Sequence, residues 1–334
     1  PTEGRMKPSD RRSTTSPVAA PFSRPSAFAI WSALVTVYIV WGSTYLAIRF
    51  AIETLPPFLM AGARFLIAGA ILYLIRRALG DPRPSKKEWR SAAVIGTFLL
   101  VGGNGGVVWA EQSVPSGLAA LLVSTVPLWM VLIDFLSGRR QAGRRTVMGI
   151  LLGFFGVILL IGPAQIGGGA NAINRLGVVA LLLAPLFWSI GSLYHRRAVL
   201  PASPLLGTGM EMLTGGVGLL LLGLVTGEAT RWNPAATSLP SFLGWLYLVV
   251  FGSWVGFAAY IWLLRVAPTP LVATYAYINP VVAIFLGSLW AAEPLTPQIL
   301  TAAAIILGSV ALTTSASSPV PSPTPGTKPP PNPE

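Results

Sequence analysis

The sequence predicts an all-α integral membrane protein whose ten transmembrane helices form two inverted five-helix repeats. Three observations carry that expectation. Ten apolar stretches of bilayer-spanning length fill the 334-residue chain. Residues 37–161 are echoed by residues 184–312. Lys and Arg collect on alternate connections. With 53% hydrophobic and 10% charged residues and a mean hydropathy of +0.67, the chain departs from soluble domains, where about 25% charged residues is usual. Cysteine is absent, which excludes disulfides, thiolate metal sites and cysteine nucleophiles.

Taken in order, the spans fall at 29–50, 56–76, 89–111, 116–136, 145–162, 175–195, 203–226, 240–264, 270–290 and 297–315. Each approaches the roughly 20 apolar residues that a bilayer core requires. Pro56, Pro57, Pro115, Pro270 and Pro297 stand at or beside helix starts, where a fixed φ helps and the missing N–H costs little. Residues 1–27, basic and rich in Pro and Ser, and the Pro-rich residues 316–334 are expected to be disordered tails. No cleavable signal or twin-arginine leader is expected: Arg11-Arg12 is followed by Ser-Thr-Thr rather than an apolar run. The domain expectation is therefore a tail (1–27), a first repeat (28–162), a second repeat (163–315) and a tail (316–334).

The formal charge of +12 could point to a nucleic acid, but its distribution points to topology. With the N-terminus inside, nineteen of the 23 Lys and Arg residues lie on cytoplasmic segments and three, Arg49, Arg175 and Arg231, lie outside. Arg64 falls within a span. The positive-inside rule then places both termini in the cytoplasm. No nucleic-acid partner is expected.

The repeat is visible residue by residue. An offset of 153 pairs Val114-Pro115-Ser116 with Ala267-Pro268-Thr269, Pro127 with Pro280, Gly103 with Gly256 and Trp109 with Trp262. An offset of 147 pairs Trp41 with Trp188, Pro57 with Pro204 and Arg64 with Glu211. A unit with five crossings re-enters the membrane from the opposite side, so its copy must be inverted.

Candidate site residues follow from chemistry that is costly inside a bilayer. Pro127 and Pro280 each remove a helical hydrogen bond in mid-span and are expected to act as hinges. Tyr38, Trp41 and Tyr45 share a face of the first helix; Trp188 occupies the equivalent sixth. Tyr247, Phe251, Trp254 and Phe257 form a stripe on the eighth, and Tyr275, Tyr277 and Asn279 a cluster on the ninth. For any single aromatic, packing or an interfacial belt is the better explanation. Mid-span indoles and phenols nevertheless need polar partners away from headgroups. The expected substrate contacts are Trp41, Tyr45, Asn104, Trp188, Tyr260, Tyr275, Tyr277 and Asn279. Arg64 and Glu211 sit at different depths and are not expected to pair. They and Glu111 are structural charges or take part in ion or substrate handling; Glu111 is also placed at the outer rim, Asp134 beside Arg139 or Arg140, and the lone His195 at an interface. Gly102/Gly106, Gly149/Gly153 and Gly252/Gly256 need only helix packing, but the run Gly102-Gly103-Asn104-Gly105-Gly106 is richer than packing requires, and local unwinding there would expose backbone polar groups.

Several of these residues resemble the EamA-type transporters of the drug/metabolite transporter superfamily. The carrying motifs are Val40-Trp41-Gly42-Ser43-Thr44-Tyr45, then Pro57 with Arg64-Phe65, then Val114-Pro115-Ser116-Gly117-Leu118-Ala119-Ala120 with Pro127. In the second copy they are Tyr275-Ala276-Tyr277-Ile278-Asn279-Pro280-Val281 and Glu293. The likeness spans roughly residues 30–315. It implies a ten-helix exporter of amino acids, aromatic ones among them, or of other small metabolites, in a bacterial inner membrane. The expected function is a secondary transporter working by alternating access, sufficient as a monomer, with the lipid bilayer and a small molecule as partners and no cofactor or metal. Proton coupling through Glu211 or Glu111 and facilitated diffusion both remain open. A lipid-modifying membrane enzyme would show clustered Asp or several His, and this chain has one His. A channel would show rings of like charge.

Overall fold

A computed structural model of the protein describes residues 26–138, 143–166, 174–272 and 274–315, and no strand occurs among them. The two tails, apart from residues 26 and 27, and Arg139, Arg140 and Asn171 lie outside the described residues, as does any contact of Asp134 with those arginines.

The main helices are α1 (Ala27–Ala51), α2 (Pro57–Ala78), α3 (Lys86–Ala110), α4 (Ser116–Leu136) and α5 (Arg144–Ile166), followed by α6 (Arg175–His195), α7 (Pro204–Val225), α8 (Leu239–Val266), α9 (Tyr275–Trp290) and α10 (Pro297–Ser315). Length and composition suffice for α1 to α8 to cross a membrane, whereas α9 and the Pro297–Thr313 part of α10 are apolar but shorter. The reason is local. The expected ninth span starts at Pro270, yet a short helix Thr269–Val272 gives way to a turn at Thr274 before α9 begins. Its 16 residues rise only about 24 Å.

Helix starts follow their sequence signals. Ser85 and Glu88 form a reciprocal capping box at α3, while Ser203 and Ser238 cap α7 and α8. Two starts are capped from elsewhere. Glu228, after α7, accepts from Phe58 and Leu59 N–H at 3.2 and 2.9 Å. Glu293, after α9, accepts from Ser116 and Gly117 N–H at 2.6 and 2.9 Å. A carboxylate at a helix N-terminus satisfies orphan donors and complements the dipole.

Both α3 and α8 widen into π-helix, at Thr97–Asn104 and Leu248–Val255. The Gly102–Asn104 stretch thus stays helical, in a widened turn. In α4 the helix breaks at Ser124-Thr125, three residues before Pro127 at most, and the two hydroxyls turn back to the Leu121 and Leu122 carbonyls at 2.7 and 2.6 Å. Pro280, by contrast, lies inside α9. The equivalent prolines therefore occupy different local structures.

The strongest helix contacts recur when α1 to α5 are exchanged with α6 to α10. Helix α2 lies along α7 and α5 along α10; α1 packs on α8 and α9, and α6 on α3 and α4. The largest buried cluster joins the ends of α1, α3, α5 and α7 to the starts of α2, α4, α6, α8 and α10. At the other end of the bundle lie two smaller, separate clusters. One holds Leu34, Val37, Leu263 and Val272, from α1, α8 and the segment before α9. The other holds Ala92, Leu206 and Met210, with Tyr73 and Trp89 against them, from α2, α3 and α7.

Candidate functional site

Trp41 is the centre of an aromatic group. Its ring meets Tyr260 at 5.0 Å, Phe257 at 5.3 Å and Tyr275 at 5.3 Å between centroids, and Tyr260 meets Tyr275 at 5.6 Å. Edge-on and tilted rings at such spacing are in direct contact, so no solute-sized gap separates them in this conformation. The indole N–H donates to the Gly252 carbonyl at 3.3 Å. Trp254 and Trp245 solve the same problem by donating to the Ala68 and Met60 carbonyls at 3.1 and 3.2 Å. Indoles buried in mid-span thus find main-chain acceptors, as burial of an N–H in lipid demands.

Trp41 comes this close because α8 offers a glycine: a methyl group at Gly256 would stand 2.3 Å from its Nε1. In the other copy a methyl group at Gly103 would stand 3.0 Å from Trp188 Cε3. Trp41 and Trp188, matched at an offset of 147, therefore seat on Gly256 and Gly103, matched at an offset of 153. The next pair behaves likewise. Gly42 abuts the Asn279 carbonyl, a Cβ there standing 3.1 Å away. Its counterpart Ser189 donates to the Val126 carbonyl at 3.0 Å.

The expected contacts divide. Trp41, Tyr260 and Tyr275 come together. The Asn279 amide, oriented by its surroundings, donates to the Tyr275 and Tyr38 carbonyls at 3.2 and 3.3 Å, tying α9 to α1. Tyr38 also bonds to Thr274 through its hydroxyl. Tyr45 packs against the large core, and Trp188 and Asn104 belong to the α3–α6 contact, the Asn104 Oδ1 buried without a partner. Tyr277 faces α10, donating to the Val310 carbonyl at 3.4 Å; two residues along a helix turn about 200°, so Tyr275 and Tyr277 cannot share a face. The α8 stripe is scattered by the π turn: Tyr247 stacks on Phe251 at 5.0 Å while Phe257 reaches Trp41.

Arg64 is 4% exposed, with Nε donating to Ser253 Oγ at 3.0 Å and its guanidinium carbon 4.7 Å from the Phe65 ring centre. Glu211 lies 3.3 Å from His195 Nε2. The two charges thus have separate partners, as their depths suggest, although the Glu211–His195 approach lacks hydrogen-bond alignment at Oε1. Glu111 is 0% exposed, not at an open rim, and neither carboxylate oxygen has a partner. Arg49 donates instead to its main-chain carbonyl at 3.3 Å.

Sequence reasoning passed over Gly252 and Ser253 as site residues and did not anticipate the capping by Glu228 and Glu293. The signal available was a Gly-Ser pair inside an aromatic stripe, and acidic residues just beyond spans. A groove of about 220 Å³ lies elsewhere, between Phe58, Val101, Trp109, Phe187 and Leu222. It is lined by none of the expected contacts.

The comparisons with known proteins agree with this architecture. The EamA-like transporter family matches residues 28–162 and again residues 175–315. The inner membrane transporter YedA of Escherichia coli (strain K12), itself uncharacterized, is 38% identical over 289 residues, 85% of this chain and 90% of that protein. Protein PecM of Dickeya dadantii is 26% identical over 81% of this chain and 87% of that protein. The uncharacterized transporter YoaV of Bacillus subtilis is 24% identical over 84% and 95%. One solved crystal structure is similar in fold, with a TM-score of 0.59 and 20% identity, covering 88% of this chain and all of that one.

Proposed function

The chain belongs to the EamA-like transporter family, and from that membership we propose that it exports small apolar or aromatic metabolites, amino acids among them, from the cytoplasm by alternating access. It is a multi-pass membrane transporter rather than an enzyme; the substrate class, direction and mechanism are our reading. The observation that carries it is the one-sided core. One end of the bundle is sealed by a single buried cluster, and the other is divided between the α1/α8/α9 and α2/α3/α7 clusters. If the charge asymmetry orients the chain with both termini inside, the divided end faces the cytoplasm. A carrier poised to load substrate there has this shape.

The aromatic group belongs to one wall of that division, since Trp41, Tyr260 and Tyr275 pack against the α1/α8/α9 cluster. Burying one solute ring against it is worth roughly 2–3 kcal/mol from area alone. The crossed Trp–Gly contacts support ten spans in two inverted repeats that rock about a shared centre. In the site proposed here, Trp41, Tyr260, Tyr275 and Asn279 make the contacts, and the α4 break beside Pro127 is the hinge. Of the other candidates, Tyr45, Asn104, Trp188 and Tyr277 support neighbouring helices, Pro280 bends α9 in place, and Glu111 and Glu211 are charges of the scaffold.

Counterflow in proteoliposomes tests this reading. Labelled aromatic amino acid should exchange against unlabelled solute trapped inside, without ATP. Failure of every apolar or aromatic solute of that size to exchange would remove the substrate class, and label chemically altered during uptake would restore an enzyme.

A further inference from the structure

We infer that Arg64 is the anchor for a carboxylate, so that the solute carried is an apolar or aromatic carboxylic acid in its anionic form. This rests on the transporter reading above and sharpens its substrate class. Arg64 is 4% exposed and lies seven residues into α2. A lone cation inside a bilayer costs roughly 2.5–3.5 kcal/mol even on insertion scales, so a buried guanidinium without a counter-charge requires a reason.

Among the described residues no carboxylate pairs with it: the ion pairs there are Arg76–Asp81 and His195–Glu211. Its hydrogen bond to protein is made by Nε alone, to Ser253 Oγ at 3.0 Å. That hydroxyl donates in turn to the Leu248 carbonyl at 3.1 Å, five residues back in the π turn. Ser253 therefore accepts from Arg64 with a fixed orientation and holds the guanidinium still. The Nη edge, the half of the fork that takes carboxylates in pairs, has no acceptor among the described residues.

That edge lies against Gly252, a residue that also meets the aromatic group. At Gly252, a Cβ would lie 2.9 Å from Arg64 Nη2 and 3.1 Å from the Thr44 methyl carbon. The carbonyl of the same glycine takes the Trp41 indole N–H at 3.3 Å, and the hydrogen bond of the guanidinium goes to Ser253 instead. Fork and indole thus meet at one residue without a side chain. A carboxylate on the Nη edge places its attached ring toward Trp41, Tyr260 and Tyr275. Parting α1 from α8, which alternating access requires, opens the space between them.

The test uses the purified full-length chain and two isosteric probes, 3-phenylpropionate and 3-phenylpropionamide, read by ligand-induced shifts in thermal unfolding. A charged hydrogen-bonded pair contributes about 1.5–3 kcal/mol, so the acid should bind roughly 10- to 100-fold more tightly than the amide. In Arg64→Gln that preference should collapse to about one; in Arg64→Lys, which keeps charge but loses the fork, it should be intermediate. Equal binding of acid and amide to the wild-type chain overturns the anchor and leaves the aromatic wall standing. Binding of neither overturns both. Should Arg64→Gln fail to fold, the wild-type ratio still decides.

Discussion

At the scale of single residues, the molecule depends on two tryptophans seated on two glycines. A methyl group at Gly256 would meet Trp41 Nε1 at 2.3 Å, whereas one at Gly103 would meet Trp188 Cε3 at 3.0 Å. The first forces the indole to move, since Trp41 is also held by three rings; the second needs a few tenths of an ångström. Gly256→Ala should therefore lower counterflow at least tenfold, and Gly103→Ala by much less, when both reach the membrane in equal amount. The reverse order would show that the Trp41 contact is not the one that matters. Trp41→Phe should keep most of the ring packing and lose the hydrogen bond to Gly252, a net change of about 0.5–1.5 kcal/mol in unfolding free energy.

At the scale of elements, three carboxyls at helix ends do different work. Glu228 and Glu293 each hold two N–H groups at the starts of α2 and α4. Glutamine in place of either keeps shape but loses charge and one acceptor, and should cost about 1–2 kcal/mol, read as a lower thermal midpoint in detergent. Glu111 holds nothing with its carboxyl oxygens. Glu111→Gln should leave the midpoint unchanged or raise it, because a buried group that can ionise gives way to one that cannot. A loss equal to that of Glu293→Gln would mean that Glu111 has an ionic partner in the folded protein. The helices these residues join were legible from apolar length and flanking prolines. The partners of the carboxyls were not, since Glu293 lies 177 residues from Ser116 and no local rule reaches so far.

At the scale of the whole molecule, the divided end of the core makes a directional prediction. The chain lacks native cysteine, so single cysteines report cleanly. Cysteines at Arg83 and Arg144 should react with impermeant maleimide from the cytoplasmic face, and one at Trp232 from the opposite face. A cysteine at Tyr260, on the wall of the divided end, should be reached from the cytoplasm when no solute is present. Labelling at Arg83 from outside would invert the topology; labelling at Tyr260 from outside would reverse the sense of the cleft.

The sequence alone determined the membrane class and, the start of α9 apart, the positions of the helices, and it predicts the doubling of the unit. Hydropathy over some 20 residues and matched Trp, Pro, Gly and Arg/Glu positions are local properties of the chain, and they survive any arrangement of the helices in space. It also named Trp41, Tyr260 and Tyr275, because a buried aromatic with a polar handle is conspicuous wherever it lands. Tertiary structure alone decided which candidates meet. Helix rotation sends Tyr277 to α10 and Tyr275 to Trp41, and the π turn of α8 moves Ser253 under Arg64. The matched prolines diverge because α4 breaks at Ser124 and Thr125, directly ahead of Pro127, whereas the break ahead of α9 falls at Thr274, a full turn and more before Pro280. Those outcomes depend on angular phase and on neighbours far along the chain, and a one-residue insertion in a helix shifts both without altering its composition.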